Sequence, residues 1–299
     1  MGLEILARDN VAAWCVVPYD SLRRGPVERA AMLADLGIGS MVWDWRDEHV
    51  PFFEDELDAL AAHGIGLTGI WCPLPQFEDG VPDAVAGLVA TAAGRGLAPQ
   101  LWTCIEFAPP WEGPVPQDQW RRVAEASDRI APLAALGAEH GMQVGLYNHM
   151  GWFGEPENQV AVLEALDAEG FANAGLVYQQ HHGHAQVERF ASMWPAIAPY
   201  VIALGLNGML RIADEPGVAT GGSKIHPYGH GPDDVDLARA VVDSGWTGPI
   251  TLLGHTMDDV ALRLADNLEG LDWVRDQLAG TSTADAPPPA RIPQPIWPH

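Results

Sequence analysis

Positive charge is scarce in this sequence. Lysine and arginine number 16 against 40 aspartates and glutamates, a formal net charge of −24. A surface so acidic repels nucleic-acid phosphates and anionic membranes, so neither is an expected partner. Lysine itself is nearly missing: 15 of the basic residues are arginine and only Lys224 is lysine. Cysteine is equally sparse. Cys15, Cys72 and Cys104 are odd in number and each sits inside an apolar run, which argues against a disulfide framework and for buried, reduced thiols. No apolar run reaches the roughly 18 residues of a membrane span, and "MGLEILARDN" lacks the basic-then-apolar pattern of a secretory signal. A soluble, cytoplasmic protein is expected. Glycine-rich phosphate loops are also missing after the first apolar run, which disfavours a dinucleotide or nucleotide fold.

What the sequence does have is a recurring junction. A helix-like segment closes on glycine and an apolar run follows at once, as in "LADLGIGSMVWDW", "LAAHGIGLTGIWC" and "VVDSGWTGPITLL". Glycine is the usual residue just past a helix end, because it takes left-handed backbone angles without steric cost. Six such junctions, with the opening run "NVAAWCVVP" and the run "YVIALGLNG", give eight strands alternating with helices. Near-continuous apolar strands alternating with helices predict a parallel sheet covered on both faces. Eight units in one chain of 299 residues favour a closed (β/α)8 TIM barrel of the α/β class as a single domain. The barrel is expected over residues 1–279, with 280–299 as a proline-rich tail that wraps the surface or contacts another subunit of a homo-oligomer. Residues 208–234, rich in Gly, Pro and His, form a long loop after strand seven of the kind that serves as a lid or binding loop.

In such a barrel the chemistry sits at the carboxyl ends of the strands, and here those positions are polar. Strand two ends in Asp44, Trp45 and Arg46, strand three in Trp71, strand four in Glu106. Strand five ends in Asn148 and His149, strand six in "HHGH", strand seven in Asn207, strand eight in His255. Neutral imidazoles are common ligands of divalent Mn, Co, Fe, Ni or Zn, so His149, His181, His184 and His255 are candidate metal ligands. Each alone reads more readily as a hydrogen-bonded rim residue; it is their clustering at adjacent strand ends that points to a metal. Glu106 and Asp44 are candidates for acid–base work, with pairing of Asp44 to Arg46 or another arginine as the scaffold alternative. Lys224 is a third catalytic candidate, because a compact ammonium can steady an enolate oxygen or give up its proton. Trp14, Trp45, Arg46, Trp71, Asn148, His182 and Asn207 are candidate substrate contacts, since aromatic walls with a few polar groups suit a polyhydroxyl ligand.

The segments "VWDWRDEH", "LYNHMGWFGEPENQ", "YQQHHGHAQ", "LGLNGM" and "GPITLLGH" followed by "NLEGLDWV" resemble the xylose-isomerase-like TIM barrels, the sugar phosphate isomerase/epimerase and inosose dehydratase group, over residues 10–278. The resemblance implies one divalent metal held by Glu, Asp, His and Glu from strands five to eight. This chain departs from that set: Tyr147 stands at the strand-five position, His181 and His184 replace the strand-six D-x-x-H pair, Gly205 stands at the strand-seven histidine, and His255 lies two residues past the strand-eight carboxylate. A histidine-rich substitute site, or loss of the metal with the histidines binding substrate directly, are the two readings. The resemblance further implies metal-assisted proton abstraction next to the carbonyl of a small-molecule sugar or keto-sugar. Isomerisation or epimerisation is the leading expectation, with a keto-sugar lyase or hydratase, or a non-catalytic sugar-binding or assembly barrel, as alternatives.

Overall fold

The computed structural model describes residues 2–74, 80–105, 118–149, 151–218 and 224–293. Eight parallel strands close into a barrel in chain order: β1 (Val11–Trp14), β2 (Ser40–Trp43), β3 (Gly66–Trp71), β4 (Gln100–Thr103), β5 (Val144–Tyr147), β6 (Ala174–Gln179), β7 (Val201–Leu206) and β8 (Ile250–Leu253). Each is followed by a helix: α1 (Pro26–Asp35), α2 (Phe53–Ala62), α3 (Asp83–Gly94), α4 (Gln119–Glu139), α5 (Pro156–Ala168), α6 (Phe190–Ile197), α7 (Asp234–Asp243) and α8 (Val260–Ala279). The predicted (β/α)8 barrel is therefore present strand for strand. The junction glycines adopt the predicted left-handed angles, as at Gly37 (φ 72°) and Gly245 (φ 75°), where a side chain would strain the turn that returns the chain to the sheet.

Two compact units make up the chain. One runs to Leu67 and resumes at Gln179–Pro199 and from Ala203 onward; the other comprises Thr68–Tyr178 with Tyr200–Ile202. In the first, β1 pairs with β2 and β8, in registers such as Ala13 opposite Met41 and Leu252, and β7 pairs with β8. All four residues of β1 and of β8 are buried, as strands covered on both faces must be. Pro26 opens α1, and the Glu28 carboxylate accepts the Gly25 N–H at 3.1 Å, satisfying one of the donors a helix start leaves over. The apolar face of α2 is Phe53, Leu57 and Leu60, while Ala61 faces outward. In the second unit β3, β4, β5 and β6 pair in sequence, and α5 buries Gln159, Val162, Leu163 and Leu166, the helical stripe that covers the sheet.

The loop after β7 is braced rather than loose at its described ends. The buried Asp234 carboxylate accepts the Met209, Gly229 and Gly231 amides at 2.8, 2.7 and 2.9 Å. The tail turns back along α8, where Arg291 donates to Asp266 at 2.8 Å and the Arg291 and Ile292 amides donate to the same carboxylate. Cys15, Cys72 and Cys104 are buried, as the apolar runs around them predict, and none forms a disulfide among the described residues. Among the described residues no helix is long and apolar enough to cross a membrane.

Candidate active site

Asp44 follows β2 directly and points back across the end of β1. Its Oδ1 accepts the Val16 and Val17 amides at 3.1 and 3.2 Å, while Oδ2 is buried and has no hydrogen-bond partner. Burial pushes this carboxyl up to about 7, against the opposing pull of the Val17 and Val16 amides and of Arg46. Asp44 and Arg46 do not pair with each other. Arg46 donates instead to the Trp45 carbonyl at 2.7 Å and to the Tyr19 hydroxyl at 2.6 Å, so Asp44 keeps an oxygen unspent.

Lys224 is held by its backbone and released at its tip. Its carbonyl accepts from Asn207 Nδ2 and lies 3.0 Å from His184 Nε2, which fixes where the side chain starts. The ammonium donates to His182 Nδ1 at 2.9 Å. Burial lowers Lys224 to about 8, with neighbouring Cys15 opposing. Cys15 in turn feels Asp44, Arg46 and Lys224, and burial first and then Asp44 push its thiol well up. Asp44, Cys15, Arg46 and Lys224 therefore share one electrostatic neighbourhood within the first unit.

Two expected site residues turn out to be braces. Asn207 spends Nδ2 on the Gly208 and Lys224 carbonyls at 2.8 and 3.0 Å and Oδ1 on the His226 amide at 3.2 Å, so it positions the loop rather than reaching for substrate. His184 Nε2 lies 3.0 Å from the Lys224 carbonyl and Nδ1 lies 2.9 Å from the Leu210 carbonyl and 3.4 Å from the Leu210 amide, while burial lowers the proton affinity of the ring. Both of its nitrogens are committed to backbone. His181 is buried with its ring 4.0 Å from that of His182 and 6.2 Å from that of His255. His149 belongs to the second unit, where its ring lies 6.5 Å from that of Tyr147. Among the described residues no three His, Cys, Asp or Glu side chains converge as a metal site requires. Of the four expected histidine ligands, His184 has no nitrogen left for a metal.

The aromatic candidates are mostly walls. Trp14 and Trp45 are buried, and Trp45 stacks on Trp43 with ring centroids 6.1 Å apart. Trp71 is half-buried against Tyr147, the two rings edge to face at 5.2 Å, and Asn148 beside it is fully buried. Glu106 lies outside the described residues. Two residues at the site gave no sequence signal. Cys15 adopts φ 55°, a strained angle for a residue with a side chain, at the turn that brings the Val16 and Val17 amides onto Asp44. Tyr19 packs on His255 at 4.0 Å, accepts from Arg46, and is pushed up to about 12 by burial.

No protein-family profile matches the sequence, and no curated protein matches it. Solved structures do match by shape. The apo 3-keto-D-glucoside 4-epimerase YcjR of E. coli is 12% identical, with a TM-score of 0.62, covering 89% of this chain and 98% of its own. The probable 3-DHS dehydratase AsbF of Bacillus anthracis, from petrobactin synthesis, is 17% identical with a TM-score of 0.62, covering 87% of this chain and 98% of its own. A xylose isomerase-like TIM barrel protein of Mycobacterium smegmatis, in complex with magnesium, is 14% identical with a TM-score of 0.57, covering 91% and 97%. At such identities the likeness carries the fold. The chain has the (β/α)8 fold of the xylose isomerase-like TIM barrels.

Proposed function

We propose that the chain is an enzyme that moves a proton next to the carbonyl of a sugar or keto-sugar, in the manner of an isomerase or epimerase. The observation that carries this reading is the unpartnered, buried Oδ2 of Asp44, at the strand end where barrel enzymes keep their chemistry. A carboxylate near 7 is basic enough to take a proton from a carbon activated by a carbonyl and still present in ionised form at neutral pH. The electron pair left on that carbon moves into the carbonyl, whose oxygen becomes anionic. Lys224 supplies the positive charge for that oxygen, and its hydrogen bond to His182 holds the ammonium at one place. Isomerisation is completed when Asp44 returns the proton to the neighbouring carbon while the hydroxyl proton passes to the former carbonyl oxygen; epimerisation instead requires that the first carbon be protonated on its opposite face, by a second acid such as the Lys224 ammonium.

Elimination from a keto-sugar, the lyase alternative, begins with the same proton abstraction and needs only a proton donor for the leaving hydroxyl. The likeness to a dehydratase and to a keto-glucoside epimerase supports keeping both outcomes in one screen. The test is exchange of carbon-bound protons with deuterated water, followed by NMR on a panel of ketohexoses and keto-glycosides. Exchange by wild type that drops about a hundredfold or more in Asp44→Asn supports the reading. Exchange that survives the substitution refutes Asp44 as the base, and no exchange with any carbonyl sugar refutes the reaction class.

A further inference from the structure

A cavity of about 580 Å³ opens between the start of α1, the start of α2 and the ends of β1 and β2, within the first unit. Its volume lies in the range of small-molecule sites. Nothing in the proposed reaction uses it. Three buried residues of its lining each carry a polar atom that has no hydrogen-bond partner: the Trp43 indole N–H, Arg29 Nε and Glu56 Oε1. These residues are only 1%, 4% and 2% exposed, so bulk water does not stand in for the missing partners. Two donors and one acceptor left open in one cleft describe a ligand that both accepts and donates hydrogen bonds.

Charge balance narrows the class. Arg29 is paired with Glu56, and Arg24 with Asp20 and Asp259. The remaining lining charges, Arg23 and Glu48, are of opposite sign. An anion gains no net attraction from such walls and a cation none either. The rim supplies the other half of a sugar-type site, since Phe52 and Met257 are 53% and 37% exposed, large apolar side chains with no packing reason to face solvent. We infer that this cleft binds a neutral polyhydroxylated ring, with its hydroxyls on Trp43, Arg29 and Glu56 and one apolar face against Phe52 and Met257. Occupancy of the cleft does not depend on the proposed reaction.

The Trp43 indole is the probe. In ¹⁵N-labelled full-length protein its Nε1–H signal is identified by its loss in Trp43→Phe, then followed during titration with methyl glucoside, cellobiose and, separately, inorganic phosphate. The inference predicts a saturable shift of that signal with the sugars and none with phosphate. Phe52→Ala and Met257→Ala, both at exposed positions that leave folding intact, should each weaken sugar binding roughly three- to tenfold. An immobile Trp43 signal at the highest sugar concentrations overturns the inference, as does a shift driven by phosphate, or one the rim substitutions leave unchanged. Proton exchange at a keto-sugar with a silent Trp43 sinks the cleft alone. A titrating Trp43 without any exchange sinks only the proposed reaction.

Discussion

Replacing Asp44 by asparagine should make the protein more stable as the pH rises, at the same time as it removes function. An unfolded-chain aspartate titrates near ~3.9, whereas burial holds Asp44 at about 7 in the fold. The folded state therefore binds this proton more tightly than the unfolded state does. Below about pH 4 both states carry it and it contributes no difference. As the pH rises from about 4 to about 7 the unfolded chain ionises first, so stability is lost across that window and the loss is complete above it. A gap of about 3 units corresponds to about 4 kcal/mol, an upper figure for a single buried carboxylate. Asparagine never ionises, and its amide oxygen can still accept the Val16 and Val17 N–H groups. Its buried NH2 has no partner, but that cost is the same at every pH. The informative quantity is thus the difference between variant and wild type, in which other buried acids cancel. Urea unfolding of both proteins at about pH 4 and about pH 8 should show this difference swing toward the variant by up to about 4 kcal/mol, or about 6 °C in Tm for a chain of this length. A difference that stays flat with pH, or swings toward wild type, would refute the reasoning that Asp44 is a buried carboxylate with one oxygen unpartnered.

Two further substitutions probe the same logic elsewhere. Asp234→Ala strips the acceptor from the Met209, Gly229 and Gly231 amides and should cost about 3 kcal/mol or more, read as a lower urea midpoint; an unchanged midpoint would mean that those amides find other partners. Arg263, fully buried on α8, has no hydrogen-bond partner for any of its three guanidinium nitrogens, and burial lowers its proton affinity. Arg263→Met should raise stability by about 1–3 kcal/mol, and a fall in Tm would show that the guanidinium has a partner worth more than its desolvation.

The strand-by-strand course of the chain was legible in the sequence because two independent signals coincide. Buried parallel strands must be apolar on both faces, and each returning helix needs a glycine that tolerates positive φ, as Gly37 and Gly245 do. Asp44 was legible for a related reason: a carboxylate at the end of an apolar strand has few ways to avoid burial. The histidines were not. His184 and Asn207 occupy strand-end positions that look alike whether the side chain faces a ligand or bonds a loop carbonyl, and both bond the backbone around Lys224. H-x-x-H spacing gives no shared face here, because His181 and His184 lie in two successive 3-10 turns, Gln180–His182 and His184–Arg189. Gly205, at the place where the resemblance implies a histidine, is explained by Gln179, whose side chain fills the space a Cβ would need. The left-handed turn at Cys15 and the open polar atoms around Trp43 depend on how α1, α2 and the strand ends meet, which no local pattern encodes.

The pH profile of sugar proton exchange tests the pairing of Asp44 with Lys224 most directly. The base must be ionised and the ammonium protonated, so the rate should rise with Asp44 through about 7 and fall with Lys224 through about 8, a narrow bell with its maximum between them. Lys224→Gln should abolish the falling limb and lower the maximum. A profile that climbs steadily past that range in wild type, or one whose falling limb survives in Lys224→Gln, would contradict the account.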